Sequence, residues 1–330
     1  MAFEQKYFEL NTGAHIPAIG LGTWQDEAEQ EQAVLTALHA GYRHIDTARC
    51  YGTEKAVGNA IKRSGIPRQQ IFVTSKLCNN KHHPDDVGLA LQQSLEHLGL
   101  EYLDLFLMHW PVAFKPGDDT FPTDKDGNVI VANIDYIYTY KAMESLIRSG
   151  KTKAIGVSNF SRKEVERLLA NSSIVPAVNQ IELHPWLQQT EFTKFLEDQG
   201  IHVTQYSPLG NQNEIYGGRD EADKVKDDEV LKRIGQKHGR TGAQIALGWG
   251  ISRGHSVIPK SKTQTRIHEN LRAVVELSPE DISDIEAIDK NIRYNDPSKK
   301  FGYDFFADLP GKRAEPSQVV IDHLRAQSQS

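Results

Sequence analysis

Short apolar runs alternate with amphipathic stretches along most of this chain. The runs are A-I-G-L-G (18–22), R-H-I-D (43–46), I-F-V-T-S (71–75), L-D-L-F-L-M (103–108), K-A-I-G-V (153–157), A-V-N-Q (177–180), H-V-T-Q-Y (202–206) and S-V-I-P (256–259). Their length and near-continuous apolar character fit strands buried on both faces. The stretches between them carry helical periodicity. In P-D-D-V-G-L-A-L-Q-Q-S-L-E-H-L-G, Val87, Leu91, Leu95 and Leu98 fall on one face and Gly99 is placed to end the helix. Y-K-A-M-E-S-L-I-R-S-G predicts a helix running up to Gly150, and S-R-K-E-V-E-R-L-L-A opens with a capping box, Ser161 and Glu164. Strand–helix alternation predicts a parallel sheet. Eight such units predict an α/β fold, a closed (β/α)8 TIM barrel. Before it, K-Y-F-E-L-N-T-G-A-H-I-P-A-I-G predicts a β-hairpin turning at Asn11-Thr12-Gly13. The competing architecture, an open doubly wound sheet, presents G-x-G-x-x-G after its first strand. Here the first strand leads only into G-L-G-T-W (20–24).

Three segments are too long for simple connections: Pro111 to about Ala132, Ser207 to about Lys226, and the region from about Asn291. Long loops in a compact domain are usually functional or disordered. The first two follow the fourth and seventh strands, which puts both on the C-terminal face of a barrel. The chain reads as one domain over 1–330, with 319–330 expected to be a frayed tail.

Composition narrows the partners. The 330 residues are 38% hydrophobic and 25% charged, an ordinary globular balance. A net charge of −6 argues against a nucleic-acid surface. No apolar run approaches the roughly 18 residues of a membrane span, and M-A-F-E-Q-K-Y-F-E-L lacks a secretory apolar core. Two cysteines, Cys50 and Cys78, form no disulfide framework. The expectation is a cytoplasmic protein, a monomer rather than an oligomer.

A barrel of this kind builds its site at the C-terminal ends of its strands. Those ends carry Thr23-Trp24, Asp46 with Tyr51 in the next loop, Lys76, His109-Trp110, Ser158-Asn159, Gln180, Tyr206-Ser207 and Lys260-Ser261. Singly, each has an ordinary reading: Asp46 as a helix cap, Lys76 as a solvated loop lysine, His109 as a hydrogen-bonded core histidine, Tyr51 as a packing aromatic. Jointly they make a proton donor. A phenol rarely ionises at neutral pH, and a nearby ammonium stabilises its anion. Asp46 would orient Lys76, and His109 would hydrogen-bond a substrate oxygen, giving a general acid aimed at a carbonyl. No side chain here delivers a hydride, so that chemistry requires a cofactor. Ser158, Asn159 and Gln180 offer amide and hydroxyl groups suited to a carboxamide, and Tyr206 offers a flat ring face. Lys260, Lys262 and Arg266, with Ser261 and Thr263, surround a predicted helix start and make a phosphate site. His82, His83, Asp85 and Asp86 open a helix and read as surface and cap residues; no metal is expected.

The motifs G-L-G-T-W, Y-R-H-I-D-T-A…Y-G-T-E, T-S-K-L, L-M-H-W-P, G-V-S-N-F, V-N-Q-I-E-L-H-P, Y-S-P-L-G and I-P-K-S…R-I-H-E-N, in this order, resemble the aldo-keto reductase family over nearly the whole chain. The resemblance implies NADPH-dependent reduction of an aldehyde or ketone, or the reverse oxidation of an alcohol such as glycerol with NADP+. It implies Tyr51 as general acid, Lys76 and Asp46 as the pair that assists it, and His109 as the carbonyl-orienting residue. It further implies nicotinamide contacts from Ser158, Asn159, Gln180 and Tyr206, ribose contacts from Thr23 and Asp46, and pyrophosphate contacts from Ser207 and Leu209. Lys260, Ser261, Thr263 and Arg266 would hold a 2′-phosphate, with Glu269 and Asn270 near adenine. Trp24, Trp110, Phe114 and Phe121 are the expected substrate pocket, with Tyr294, Phe301, Tyr303, Phe305 and Phe306 contributing from the C-terminal region. One departure stands out: Cys50 replaces the carboxylate that sugar-reducing members often carry before the tyrosine. Two other classes remain open: a non-catalytic NADPH-binding relative acting as a sensor or structural subunit, and a metal-dependent barrel hydrolase.

Overall fold

The computed structural model describes residues 5–210 and 224–315. A two-stranded hairpin, β1 (Tyr7–Glu9) and β2 (His15–Pro17), pairs antiparallel with Phe8 opposite Ile16. Eight parallel strands follow: β3 (Leu21–Gly22), β4 (His44–Asp46), β5 (Phe72–Leu77), β6 (Leu105–Met108), β7 (Ile155–Ser158), β8 (Val178–Glu182), β9 (His202–Tyr206) and β10 (Ser256–Val257). Each pairs with its neighbours in chain order, β3 to β10. The sheet closes on itself through parallel bridges Ile19–Val257 and Gly22–Lys260, with Gly22 N–H donating to Pro259 O at 3.2 Å. A Cβ at Gly22 would stand 2.9 Å from Ile258 O, so closure at this seam needs glycine. The result is the predicted (β/α)8 barrel.

The helices are α1 (Glu27–Ala40), α2 (Glu54–Ser64), α3 (Pro84–Leu98), α4 (Tyr136–Ile147), α5 (Arg162–Leu169), α6 (Thr190–Asp198), α7 (Glu229–His238), α8 (Gly242–Ser252), α9 (Gln264–Leu271), α10 (Pro279–Glu286) and the short α11 (Ser298–Phe301). Strand alternation divides the core. On β6, Leu105 and Leu107 point into the barrel with Ile16, Phe72 and Val178, while Phe106 and Met108 pack outward against the helices. Leu10 and Ile16 of the hairpin region close the lower end of that inner cluster.

Local chemistry sets the helix ends. Pro84 stands at the first turn of α3, His83 Nδ1 accepts from Asp85 N–H at 3.4 Å, and Gly99 ends the helix at φ 63°. The capping box of α5 forms as expected. Helix α4 begins earlier than its periodicity predicts because Asp135 caps it, accepting from Ile137 N–H at 3.0 Å, and it stops at Ile147, ahead of Gly150.

Two strands run further than expected. Strand β5 continues through Lys76 to Leu77, so Lys76 lies within the sheet, and β8 continues two residues past Gln180 to Glu182. His82, expected at the surface, is fully buried, and burial pulls its pKa down to about 3. The Pro111–Ala132 loop is folded on itself by bridges Phe114–Val131 and Thr123–Val129 and tied to the barrel by Asn79 Nδ2, which donates to Val112 O at 2.8 Å. Residues 211–223 of the second long loop, and the tail expected over 319–330, lie outside the described residues.

Candidate active site

The C-terminal ends of the strands surround a cavity of about 700 Å³. Asp46 ends β4 and is buried within it; its Oδ1 accepts from Lys76 Nζ at 2.6 Å and its Oδ2 from Gln180 Nε2 at 2.7 Å. Lys76 is fully buried because strand alternation turns it into the barrel, while Ser75 turns out to Glu54 at 2.7 Å. Its ammonium also donates to Thr47 O at 2.9 Å. A buried ammonium needs such partners.

Tyr51 follows β4 on a single 3-10 turn, Arg49–Tyr51, closed by Gly52 at φ 75°. The turn brings the phenol back over the strand ends. Lys76 Nζ lies 5.0 Å from the Tyr51 ring centroid, and Tyr51 OH lies 3.5 Å from His109 Nε2. His109 Nδ1 meets Cys50 Sγ at 3.3 Å. Asn159 braces the opposite wall: its Nδ2 donates to His109 O at 3.0 Å and to Ser158 Oγ at 3.1 Å, and its Oδ1 accepts from Tyr206 OH at 2.7 Å. Asn159 holds φ 63° and Ser207 φ 46°, left-handed conformations just past the ends of β7 and β9, the strands flanking β8. Thr23, fully buried, donates to Asp46 O at 3.0 Å and binds the β3 and β4 ends together.

Most residues singled out from sequence line this one cavity: Thr23, Asp46, Tyr51, His109, Ser158, Asn159, Gln180, Tyr206, Ser207, Leu209, Lys260 and Arg266. Lys76 stands behind Tyr51 instead of at the surface. Ser261, Thr263, Glu269 and Asn270 are off the lining. Ser261 Oγ accepts from Thr263 N–H at 3.1 Å in the turn before α9, and Asn270 is buried on that helix. At this end, Lys260 pairs with Asp26, and Lys262 pairs with Asp26 and Glu29 at 3.1 Å each.

The aromatic wall differs in one member from expectation. Trp24, Trp110 and Phe121 line the cavity, but Phe114 does not. Its ring is buried 5.1 Å from Phe301 and 6.1 Å from Phe121, so it supports the wall from behind. Of the C-terminal aromatics, Phe301 lines the cavity; Phe305 packs at 4.8 Å on Trp110, Phe306 packs on the same indole, and Tyr303 reaches Glu164 at 2.7 Å. Asn79, Asn295 and Lys300 also line it. No local signal marks Asn295 and Lys300, since a segment distant in sequence carries them there. Asn79 was legible in principle, three residues beyond Lys76.

No group of three or more His, Cys, Asp or Glu side chains is placed to hold a metal among the described residues, and among the same residues no helix is long and apolar enough to cross a membrane.

Comparison with known proteins agrees with the geometry. Residues 18–290 match the model of the aldo/keto reductase family. An uncharacterised oxidoreductase of Schizosaccharomyces pombe is 48% identical over 306 residues, covering 89% of this chain and 94% of that protein. Aldo-keto reductase family 1 member A1 of Rattus norvegicus is 45% identical over 292 residues, covering 86% and 90%. The solved structure of an aldose reductase from Schistosoma japonicum superposes with a TM-score of 0.84 at 35% identity, covering 91% of this chain and 97% of that one. A barrel closed by β3 and β10, with Asp46, Tyr51, Lys76 and His109 gathered at its C-terminal mouth, belongs to an oxidoreductase of the aldo/keto reductase family.

Proposed function

We propose that this protein reduces an aldehyde or ketone to its alcohol with NADPH, Tyr51 being the general acid, and that the same site run backwards oxidises an alcohol, a polyol such as glycerol included, with NADP+. The observation that carries the reading is the convergence of Tyr51 OH and His109 Nε2, 3.5 Å apart, at the floor of the cavity. An oxygen placed against both receives hydrogen bonds from two sides. Tyr51 gives it a proton as charge develops, and the Lys76 ammonium beneath the ring steadies the phenolate left behind. Asp46, 2.6 Å from Nζ, holds that ammonium in place and aims it. General acid catalysis of this kind is worth about 10²–10⁴ in rate.

The donor set fits a nicotinamide dinucleotide. Ser158, Asn159 and Gln180 hold the carboxamide, the Tyr206 ring face stacks on the nicotinamide, and Thr23 and Asp46 hold the adjoining ribose. Ser207 and Leu209 meet the pyrophosphate. Lys260, Ser261, Thr263 and Arg266 take the 2′-phosphate, with Glu269 and Asn270 towards adenine. When bound, NADPH supplies the hydride. Trp24, Trp110 and Phe121, backed by Phe114, exclude water around the reacting carbonyl. The likeness to an aldose reductase at 35% identity and to aldo-keto reductase family 1 member A1 at 45% supports the substrate class. The protein acts as a cytoplasmic monomer on small molecules. The complete set Asp46, Tyr51, Lys76 and His109 counts against a non-catalytic role.

Tyr51→Phe is the direct test. Carbonyl reduction is expected to fall by at least about 100-fold, while NADPH still quenches tryptophan fluorescence with its wild-type dissociation constant. Near-wild-type turnover in this variant would overturn the assignment. Glyceraldehyde, pentoses, aromatic aldehydes and β-keto esters, compared by kcat/KM, identify the preferred carbonyl.

A further inference from the structure

We propose that Cys50 is a positioning residue for His109: its thiol engages Nδ1 and so keeps the ring proton on Nε2, the nitrogen that faces Tyr51 and the reacting oxygen. This deepens the reading of Tyr51 and His109 given above and rests on it.

A neutral imidazole carries one N–H, and the bond made at one ring nitrogen decides where the proton resides. Both nitrogens of His109 face one short piece of chain. Cys50 and Tyr51 are successive residues of the turn that follows β4, and they reach opposite sides of the ring. Cys50 Sγ lies 3.3 Å from Nδ1, and Tyr51 OH lies 3.5 Å from Nε2. The ring cannot turn away freely. Trp110 stacks beside it at 6.3 Å and 29°, Tyr51 meets it edge-on at 5.6 Å, and Asn159 ties its carbonyl.

What surrounds the sulfur makes its thiol more acidic than usual, and so a ready hydrogen-bond donor. Cys78, buried at the end of β5, interacts with Cys50; that contact and burial hold the Cys78 thiol protonated, well above the usual thiol range. The same contact, with the neighbouring His109 and Lys76, pulls Cys50 well below that range against the effect of its own burial. A thiol that donates to Nδ1 across this 3.3 Å contact leaves the ring proton on Nε2. Whether that hydrogen is shared or fully transferred, Nε2 keeps its N–H. The opposite arrangement, Nδ1–H pointing at sulfur, would leave Nε2 bare. It would then accept the Tyr51 O–H and draw the general acid away from the carbonyl. Cys50 therefore selects the state in which the phenol and the imidazole both donate to one oxygen.

The variants are Cys50→Val, which keeps apolar bulk without a hydrogen bond, and Cys50→Ser, which restores a donor. In Cys50→Val, kcat for a carbonyl substrate is expected to fall about tenfold, with the NADPH dissociation constant unchanged by fluorescence quenching. Cys50→Ser is expected to recover to within about threefold of wild type, because the hydroxyl can donate to Nδ1. The decisive measurement is the long-range 1H–15N spectrum of the imidazoles, with His109 assigned by its loss in His109→Gln. Wild type and Cys50→Ser should show the Nε2–H form, and Cys50→Val should lose it. Cys50→Ala repeats the measurement with less bulk should valine prevent folding. A wild-type His109 pattern together with wild-type kcat in the valine or alanine variant would overturn the proposal. An active Tyr51→Phe enzyme would instead overturn the function on which it rests, so the two failures are distinguishable.

Discussion

Two of the three cations at the far end of the cavity are already committed. Lys260 and Lys262 pair with Asp26, and Lys262 also reaches Glu29, on the approach to and first turn of α1. Arg266 is exposed, lines the cavity, and carries no ion pair among the described residues. Its planar fork suits a phosphate, and a charge-assisted hydrogen bond is worth about 1.5–3 kcal/mol. Arg266→Ala should therefore raise the dissociation constant of NADPH by about 10–100-fold and leave that of NADH nearly unchanged. Equilibrium titrations of both nucleotides check this; equal weakening of the two would exclude a 2′-phosphate at Arg266. The three cations were all visible in I-P-K-S-K-T-Q-T-R, but nothing local distinguished the free one. That depended on where Asp26 falls, more than 200 residues earlier in the chain.

Among the elements, α2 and α3 show how tightly the outer layer fits. Gly58 lies in the middle of α2, where glycine weakens a helix by about 1 kcal/mol relative to alanine. Its place is explained by the end of α3. A Cβ on Gly58 would stand 2.1 Å from Leu98 O and 2.6 Å from its carbonyl carbon, both backbone atoms that cannot rotate aside. Gly58→Ala should thus lower stability despite the better helix former, by about 1–3 kcal/mol from overpacking. Urea denaturation measures it, and an unchanged or raised midpoint would mean that α2 can move off α3 without cost. The amphipathic pattern of α3 was readable from Val87, Leu91, Leu95 and Leu98, all of them buried. The contact that demands Gly58 was not, because it joins the side of one helix to the carbonyl end of another.

At the scale of the molecule, the C-terminal segment is drawn across the barrel mouth and fastened by carboxylates. Glu182, at the end of β8, accepts from Tyr294 N–H at 2.8 Å and Asn295 N–H at 2.7 Å. Asp296 accepts from Arg313 and Ala314 N–H at 2.9 and 2.8 Å. Glu164 receives Tyr303 OH at 2.7 Å while also capping α5 through Ser161 N–H at 2.7 Å. Desolvation, with nearby Asp308 adding to it, pushes Glu164 up to about 7, against the pull of its hydrogen bonds. A carboxyl raised in the folded state holds its proton more tightly there than in the unfolded chain. Its contribution to stability is full below the unfolded value of 4.5 and is lost as pH rises through about 7. Thermal midpoints should accordingly decline between about pH 5 and 7, and Glu164→Gln should flatten that decline. An identical slope in the variant would show that Glu164 does not titrate in this window.

Much of this architecture was legible before any coordinates. Eight apolar runs at βα spacing suffice for a parallel barrel, because strands covered on both faces must be apolar nearly throughout. The polar residues ending those runs then fall at one mouth, which is why Asp46, Tyr51, Lys76 and His109 could be grouped from the sequence alone. The hairpin at Asn11-Thr12-Gly13 and the caps of α3 and α5 were readable for the same reason: each is decided within a few residues. Only the tertiary structure decided what depends on distant chain meeting. It buried Lys76 and His82, moved Phe114 behind the cavity wall, and brought Asn295, Lys300 and Phe301 into it. It also set Cys50, the residue whose presence before Tyr51 had no local explanation, against Nδ1 of His109. Hydrophobic period and turn chemistry are short-range properties written residue by residue. Which side of an imidazole a thiol reaches is set by the packing of two strands and a turn, and exists only once the barrel has closed.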